Sequence, residues 1–149
     1  MELIARAIIV TVITVLGWQM LAGWTGTRAV EQAEGCKVSY VYDGDTVALD
    51  CGDGVEETAR IQGLDTPETK EPGCADELAL GSLATDRLRS LIAGGEVRLR
   101  LFGEDRYGRL LIRMDVDGED VATTMIREGL AVPYDGGARP DWCERLRDL

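Results

Sequence analysis

The stretch CKVSYVYDGDTVALDC, residues 36–51, constrains the fold of this 149-residue chain more than any other part of the sequence. Apolar and polar side chains alternate on both sides of Asp43-Gly44, a pair that commonly forms the turn of a β-hairpin. With a two-residue turn at this pair, Cys36 and Cys51 lie equally far from the turn and face each other. The sequence therefore predicts a hairpin whose open end is closed by a disulfide.

The other two cysteines, Cys74 and Cys143, then pair by elimination and tie a loop to the C-terminal tail. An even number of cysteines in an exported domain favours this interpretation. Two alternatives stay open: free cysteines in the core, and a zinc site built from all four. The sequence contains no C-x-x-C spacing of the kind that zinc sites commonly use.

Downstream of the hairpin, strand-like and helix-like patterns follow one another, separated by glycine-containing turns. The predicted strands span 55–64, 96–102 and 109–116, and the predicted helices span 76–93 and 119–128, with a short helix after Pro140. Together with the hairpin, this makes five short strands and two to three helices. The pattern indicates a mainly β, α+β fold: a five-stranded Greek-key barrel of the OB type, packed with helices.

The N-terminal segment has a different character from the rest of the chain. Ala7 to Thr27 carries no charge, and Arg6 precedes it. Such an apolar helix is typical of a signal peptide or an uncleaved signal anchor, with a buried soluble helix as a third interpretation. The predicted organisation is a signal segment at 1–27, a linker at 28–35 and a folded domain at 36–149. The domain is predicted to be exported to the periplasm, the cell surface or the medium.

Composition removes several classes of mechanism. Histidine is absent, and the formal net charge is -11. A hydrolase without histidine needs a carboxylate base or a metal-bound water, and oxygen ligands favour calcium or magnesium over zinc. The negative charge argues against a broad basic surface for nucleic acid. It leaves room for an enzyme that binds phosphate locally, through a metal and a few arginines.

Charged residues gather at three strand ends. The first group is Asp43 and Asp45 at the hairpin tip, the second is RIQGLDTPE at 60–68, and the third is GEDRYGR at 103–109. Each group alone is also explained as a solvated turn or an ion pair at a strand end. Taken together, the three groups resemble one specific site.

The motifs YDGDTVAL, RIQGLDTPE, DRYGR and IREGLA, in this order and spacing, resemble the staphylococcal nuclease (thermonuclease) family. The resemblance covers Cys36 to Tyr134. It implies an OB-type barrel with packed helices and a calcium-dependent nuclease that cleaves DNA and RNA by attack of a metal-activated water. The implied products carry 3′-phosphate ends.

The resemblance also implies how the metal is held. Asp45 and Asp65 correspond to the carboxylate ligands of the family's calcium ion. Thr66 corresponds to the residue that gives a backbone carbonyl to that ion. Asp43 matches a nearby carboxylate that is not usually counted as a direct ligand.

The implied chemistry falls on four further residues. Glu68 matches the glutamate that positions or deprotonates the attacking water, and nearby cations should keep it charged. Arg60 and Arg109 match the two arginines that grip the phosphate, a task suited to planar, bidentate donors. Tyr107 matches a tyrosine beside the nucleotide's phosphate.

The sequence departs from the family pattern after Glu68, where the loop is rewritten around Pro72-Gly73-Cys74 and a lysine-rich loop is absent. Tyr134 aligns poorly with the family's C-terminal tyrosine region. The expected partners are DNA and RNA, with single strands favoured, and a membrane if the N-terminal segment is uncleaved; no protein partner is predicted. The alternative function is a non-catalytic nuclease-like module that binds nucleic acid or protein.

Overall fold

A computed structural model describes residues 31–33 and 35–147 of the chain. The predicted signal segment at 1–27, with its apolar helix, lies outside these residues. Within the part of the chain that the structure describes, no helix has the length and apolar character needed to cross a bilayer. Residues 31 and 32, inside the predicted linker, form a short strand that pairs with the sheet.

A mixed β-sheet forms the framework. The strands are β1 Glu31–Gln32, β2 Lys37–Val41, β3 Thr46–Asp50, β4 Glu56–Ile61, β5 Gly63–Asp65, β6 Val97–Glu104, β7 Leu110–Val116, β8 Glu119–Asp120 and β9 Val132–Tyr134. The main sheet has the order β1-β6-β7-β4-β3-β2, with β8 paired to β7, while β5 and β9 form a separate pair. Only β4 and β7 run parallel among these described pairs.

Three helices pack with this sheet: α1 Ala75–Gly94, α2 Val121–Arg127 and α3 Trp142–Arg147. They confirm the predicted helices and, with the sheet, the predicted α+β fold of the OB type. Helix α2 begins later than predicted because Glu119 and Asp120 first pair with β7 as β8. Asp120 then caps the helix, accepting a hydrogen bond from the Thr123 N–H at 2.8 Å.

One hydrophobic core joins the sheet to the helices. Its fully buried large side chains are Val47, Leu49, Ile61, Leu64, Leu88, Ile112, Met114, Val121 and Met125. In β7, buried Ile112 and Met114 alternate with Arg113 and Asp115, as a strand with one buried face requires. The strand ends that carry the charged motifs are therefore held by a packed interior.

The predicted third strand, 55–64, is interrupted. β4 ends at Ile61, the Gln62 N–H donates to the Ile112 carbonyl at 2.8 Å, and Gly63 adopts a φ of 93°. A left-handed φ of this kind favours glycine. β5 then pairs with β9 instead of continuing along the main sheet. The break carries Asp65 out of the sheet and towards the C-terminal part of the chain.

Both predicted disulfides are present. Cys36 is bonded to Cys51, and Cys74 is bonded to Cys143. Both open alternatives are thereby excluded for these four cysteines, since none of them is free. The first bridge closes the hairpin, and the second ties the loop before α1 to α3.

The hairpin turn itself is longer than predicted. Val41 pairs with Val47, so residues 43–45 all lie in the turn, and the prediction of a two-residue turn is wrong. A β-bulge further back in β2 absorbs the extra residue, and Lys37 pairs with Asp50 beyond it. The bulge restores the register in which the two cysteines face each other.

Candidate active site

The segment after β5 carries predicted site residues into the protein interior. Asp65 ends β5, and Asp65 and Thr66 are 0% and 2% exposed. The buried Pro67 follows, and the Glu68 side chain is 34% exposed. The turn therefore places one carboxylate inside the protein and a second at its surface, three residues apart in the sequence.

The hairpin tip meets this turn. Asp45 is 2% exposed, and one of its carboxylate oxygens lies 3.4 Å from the Thr66 backbone nitrogen, which donates to it. Asp43 acts on the hairpin, because its carboxylate accepts a hydrogen bond from the Asp45 N–H at 3.0 Å. The structure thus brings Asp45, Asp65 and Thr66 together and makes Asp43 a support for the turn.

Two glycines let the chain approach the Thr66-Pro67 turn closely. A Cβ added to Gly44 would lie 2.8 Å from Thr66 Cγ2, and one added to Gly81 in α1 would lie 2.7 Å from the Pro67 carbonyl oxygen. Neither distance is compatible with a side chain unless the neighbours shift. The turn is therefore clamped between the hairpin tip and α1.

Arg60 joins the two buried aspartates. From β4, its guanidinium lies 3.0 Å from Asp45 Oδ2 and 3.1 Å from Asp65 Oδ1. It also lies over the ring of Tyr134, 5.5 Å from the ring centroid. Asp45, from the first charged group, and Arg60 and Asp65, from the second, form one ion-pair network, and Tyr134 borders it.

Two residues of this cluster were missed by the sequence analysis. The Arg139 guanidinium donates to Asp65 Oδ1 at 2.6 Å, to the Thr66 carbonyl at 3.2 Å, and to a Glu68 carboxylate oxygen. The Trp142 indole N–H donates to Asp65 Oδ2 at 3.0 Å. No local motif marks either residue. The one sequence signal was the predicted disulfide at Cys143, which already tied the tail to the loop after Glu68.

Burial and crowding of like charges perturb the site. Burial raises the pKa of Asp45 to about 7; Arg60 and the Thr46 hydroxyl oppose this shift, while Asp43 and Asp65 add to it. Burial lowers the pKa of Arg139, but its bonds to Asp65 and Glu68 outweigh this effect, raise the pKa and keep the guanidinium charged. The buried carboxylates are thus stabilised by nearby guanidinium groups and by neutral hydrogen-bond donors.

A buried glutamate holds the loop that the sequence analysis found to be rewritten. The Glu77 carboxylate, on a residue only 7% exposed, accepts hydrogen bonds from the Glu68 N–H at 3.2 Å and the Gly73 N–H at 2.7 Å. Its oxygens lie close to Cys74 and Cys143, but both sulfurs are committed to the disulfide. Glu77 and the disulfide together fix the backbone on both sides of the rewritten loop.

The third charged group forms a compact loop of its own. The Asp105 carboxylate accepts hydrogen bonds from the Tyr107 N–H at 2.8 Å, the Arg109 N–H at 3.0 Å and the Arg109 Nε at 2.8 Å. Desolvation raises the pKa of Asp105, but these hydrogen bonds outweigh it and lower the pKa. Tyr107 is 69% exposed, with the Arg109 guanidinium 5.7 Å from its ring centroid.

Strand register relates this loop to Arg60. In the parallel pair of β4 and β7, Arg60 lies beside Leu111. Arg109 precedes Leu111 by two positions, so it falls on the same face of the sheet as Arg60. Among the described residues, Arg109 and Tyr107 make no hydrogen bond to Asp45 or Asp65. The two arginines therefore share a face, with Arg60 on the carboxylates and Arg109 on Asp105.

The donor set fits a hard divalent cation. The Asp45 and Asp65 carboxylates and the Thr66 carbonyl offer only oxygen, which is the ligand type that calcium and magnesium prefer. Guanidinium groups already lie against all three: Arg60 on both aspartates, and Arg139 on Asp65 and Thr66. Positive charge is therefore drawn to the oxygens that a metal would use.

Comparisons with known proteins point to one family. The family model described as staphylococcal nuclease homologue matches residues 58–145. The chain is 39% identical over 113 residues to Endonuclease YncB of Bacillus subtilis (strain 168), covering 74% of this chain and 53% of that protein. It is 34% identical over 102 residues to a thermonuclease of Staphylococcus intermedius, covering 67% of this chain and 60% of that protein.

An uncharacterized endonuclease of Escherichia coli gives a similar result, with 36% identity over 101 residues. The chain covers 60% of that protein. It therefore spans somewhat more than half the length of these relatives. The residues that the family model matches, 58–145, include Arg60, Asp65, Glu68 and Arg109, whereas Asp45 lies before them.

Proposed function

The chain belongs to the staphylococcal nuclease family, and on this premise we propose that it is a metal-dependent nuclease that hydrolyses phosphodiester bonds of DNA and RNA. The observation that carries the proposal is the meeting of Asp45, Asp65 and the Thr66 carbonyl with Arg60 and Glu68 at one barrel edge. Burying this set of charges costs free energy, which supports a catalytic role over that of a non-catalytic binding module.

We propose calcium as the metal, held by Asp45, Asp65 and the Thr66 carbonyl. Calcium bound there would neutralise negative charge on the phosphate. The protein contributes the position of its ligands: Asp45 is fixed by the hairpin tip, Asp65 by β5, and Thr66 by the clamp between Gly44 and α1. Preorganised ligands do not have to rearrange during the reaction, which is how electrostatic catalysis gains most of its effect.

Arg60 and Arg109 are proposed to bind the phosphate. Arg60 lies in β4, and Arg109 directly precedes the adjacent strand β7. Both present planar guanidinium groups suited to two phosphate oxygens at once. Both are paired with carboxylates in the structure, Arg60 with Asp45 and Asp65, and Arg109 with Asp105. These carboxylates keep the guanidinium groups oriented, so less side-chain freedom is lost when the phosphate arrives.

Glu68 is proposed to orient the attacking water and accept its proton. Its carboxylate is the one acidic group of the loop that is both next to the metal ligands and partly exposed, and so it can reach a water at the mouth of the site. The Glu77 carboxylate and α1 fix the Glu68 backbone. Tyr107 is proposed to contact the nucleotide next to the bound phosphate, which its exposure beside Arg109 supports.

The remaining expectations belong to the same proposal. Two disulfides suit an oxidising compartment, which supports export. A net charge of -11 predicts weak, salt-sensitive binding of substrate, and single strands can enter a site at a barrel edge more easily than a stiff duplex. Membrane attachment would depend on the segment at 1–27.

The test is cleavage of labelled single-stranded DNA by the oxidised protein, with calcium and then with a chelator. Glu68→Gln is expected to lower turnover by about 10²-fold or more while folding and calcium binding survive. Glu71→Gln removes an exposed charge from the same loop and serves as the matched control, with near-normal turnover. Products with 3′-phosphate ends support the mechanism. Full activity in Glu68→Gln, or activity that persists in chelator, would refute it.

A second pair of variants addresses phosphate binding. Arg109→Ala removes the proposed phosphate contact, and Arg98→Ala removes an exposed arginine of β6 that is paired only with Glu96 among the described residues. Arg109→Ala is expected to lose about 10²-fold or more in kcat/KM, whereas Arg98→Ala should behave like the wild-type protein. Equal effects of the two would mean that general charge, and not a phosphate site, explains the loss.

A further inference from the structure

Arg139 contacts the groups assigned to the metal and to the attacking water. Its three nitrogens point to Asp65 Oδ1, the Thr66 carbonyl and a Glu68 carboxylate oxygen. The first two are proposed metal ligands, and the third belongs to the proposed base. A single guanidinium therefore contacts both the proposed metal ligands and the proposed base.

The carboxylates at this site have little room for another cation. Asp45 accepts from Thr46 Oγ1, from the Thr66 N–H and, on both oxygens, from Arg60. Asp65 accepts from Arg60 and Arg139 on one oxygen and from Trp142 on the other. A carboxylate offers about four lone-pair positions. All four are taken on Asp45 and three are taken on Asp65, so a metal ion that binds both carboxylates requires guanidinium contacts to be given up.

From this competition we infer that Arg139 is an internal cation that occupies the metal site and has to be displaced when a divalent ion binds. The inference rests on the proposed function, since it assumes that Asp65 and Thr66 are metal ligands. It assigns Arg139 a role opposite to that of Arg60. Arg60 is proposed to bind the substrate phosphate, whereas Arg139 has to leave the oxygens that the metal needs.

Arg139 lies on a short arm, residues 135–141, that is anchored at both ends. On one side, β9 pairs with β5. On the other, Trp142 is bonded to Asp65, and Cys143 is bonded to Cys74. Such anchoring gives the guanidinium a high effective concentration at the site.

The arm can release Arg139 without losing its anchors. Gly136 and Gly137 lie between β9 and Arg139, both exposed and both with left-handed φ values of 107° and 97°. Glycines tolerate a change of backbone conformation that other residues resist. Displacement of Arg139 therefore requires rotation within the arm, while the strand pairing and the disulfide stay in place.

The test is calcium binding measured by isothermal titration calorimetry on the full oxidised protein. Arg139→Met removes the charge and keeps the length of the side chain. Arg145→Met makes the same change in net charge on an exposed arginine of α3 and is the matched control. Arg139→Met is expected to bind calcium about tenfold more tightly than the wild-type protein. A tenfold change corresponds to a guanidinium that occupies the metal site in about nine-tenths of the wild-type molecules. Arg145→Met is expected to stay within about twofold.

Thermal unfolding gives a second readout that does not depend on turnover. Without Arg139, Asp65 and Glu68 lose a counter-charge, so the variant is expected to melt lower in chelator and to gain more from calcium than the wild type does. Unchanged or weaker calcium affinity in Arg139→Met would overturn the inference, and so would an equal gain in Arg145→Met.

Failure of the underlying proposal has a different signature. If none of the three proteins binds calcium, magnesium or manganese, the metal site itself is wrong, and the role of Arg139 falls with it. If all three bind calcium with the same affinity, the metal site stands and only the competition by Arg139 is refuted. The two failures are distinguished by the presence or absence of binding heat in the wild-type protein.

Discussion

Replacement of Gly81 by alanine tests whether the turn that carries Thr66 and Glu68 is seated directly on α1. In a helix interior alanine is favoured over glycine by about 0.8–1.0 kcal/mol. Here the added Cβ would lie 2.7 Å from the Pro67 carbonyl oxygen and 3.0 Å from that of Glu68, and both atoms belong to the backbone. Overpacking of this kind typically costs about 1–3 kcal/mol. The expected net effect is a loss of about 0–2 kcal/mol.

Gly94→Ala provides the matched control, because Gly94 belongs to the same helix and a Cβ there would meet nothing within 4 Å. This variant is expected to gain up to about 1 kcal/mol. Urea unfolding of the oxidised proteins measures both changes as shifts of the midpoint at constant slope. Gly94→Ala should be the more stable of the two variants, by up to about 3 kcal/mol.

Activity gives the second half of the test. A shift of a few tenths of an ångström at the Glu68 backbone is expected to lower kcat for DNA cleavage by about tenfold, since catalytic geometry tolerates little displacement. Gly94→Ala should leave kcat unchanged. If Gly81→Ala proves as stable and as active as Gly94→Ala, the turn is not held against α1 and the proposed clamp is wrong.

Three further predictions concern stability. Leu88→Ala, at a fully buried position of α1, should lower the free energy of unfolding by about 2–5 kcal/mol in urea titrations. Replacing Cys36 and Cys51 together by serine should cost about 3 kcal/mol, the chain-entropy value for their separation of 15 residues. Hydrogen bonds from Arg87 lower the pKa of Glu128, so this pair stabilises the fold above the unfolded-state pKa of glutamate and loses that effect as pH falls through the folded-state pKa. Unfolding between pH 7 and pH 3 should therefore show a weaker pH dependence for Glu128→Gln.

Local patterns predicted the hairpin strands, β4, β6 and β7, the helices and the charged strand ends, because each depends on residues close together in the sequence. The alternation in β7 and the apolar spacing in α1 are of this kind. The short strands β1, β8 and β9 were not predicted. The length of the hairpin turn could not be predicted from local patterns. A turn at 43–45 and a compensating bulge cannot be read from alternation, since the extra residue is placed by contacts with the rest of the sheet.

The missed parts of the site depend on residues far apart in the chain. Arg139 and Trp142 lie 74 and 77 positions from Asp65, in a tail without a recognisable motif. Glu77 looks like an ordinary charged residue in the first turn of a helix, yet it is buried and holds the Glu68 loop. Arg139 and Trp142 reach Asp65 through the tertiary structure of the tail, whereas Glu77 finds its partners in the loop directly before its own helix.

The pairing of β9 with β5 limits how early the site can assemble while the chain is being synthesised. Asp45, Arg60, Asp65 and Glu68 leave the ribosome well before the strand and the helix that enclose them. At about 5–20 residues per second, the stretch from Glu68 to Cys143 takes roughly 4–15 s to synthesise. During that interval β5 has no partner strand and Asp65 lacks two of its hydrogen-bond donors. A nascent chain that ends before β9 therefore carries Asp65 without the strand and the helix that enclose it in the folded protein.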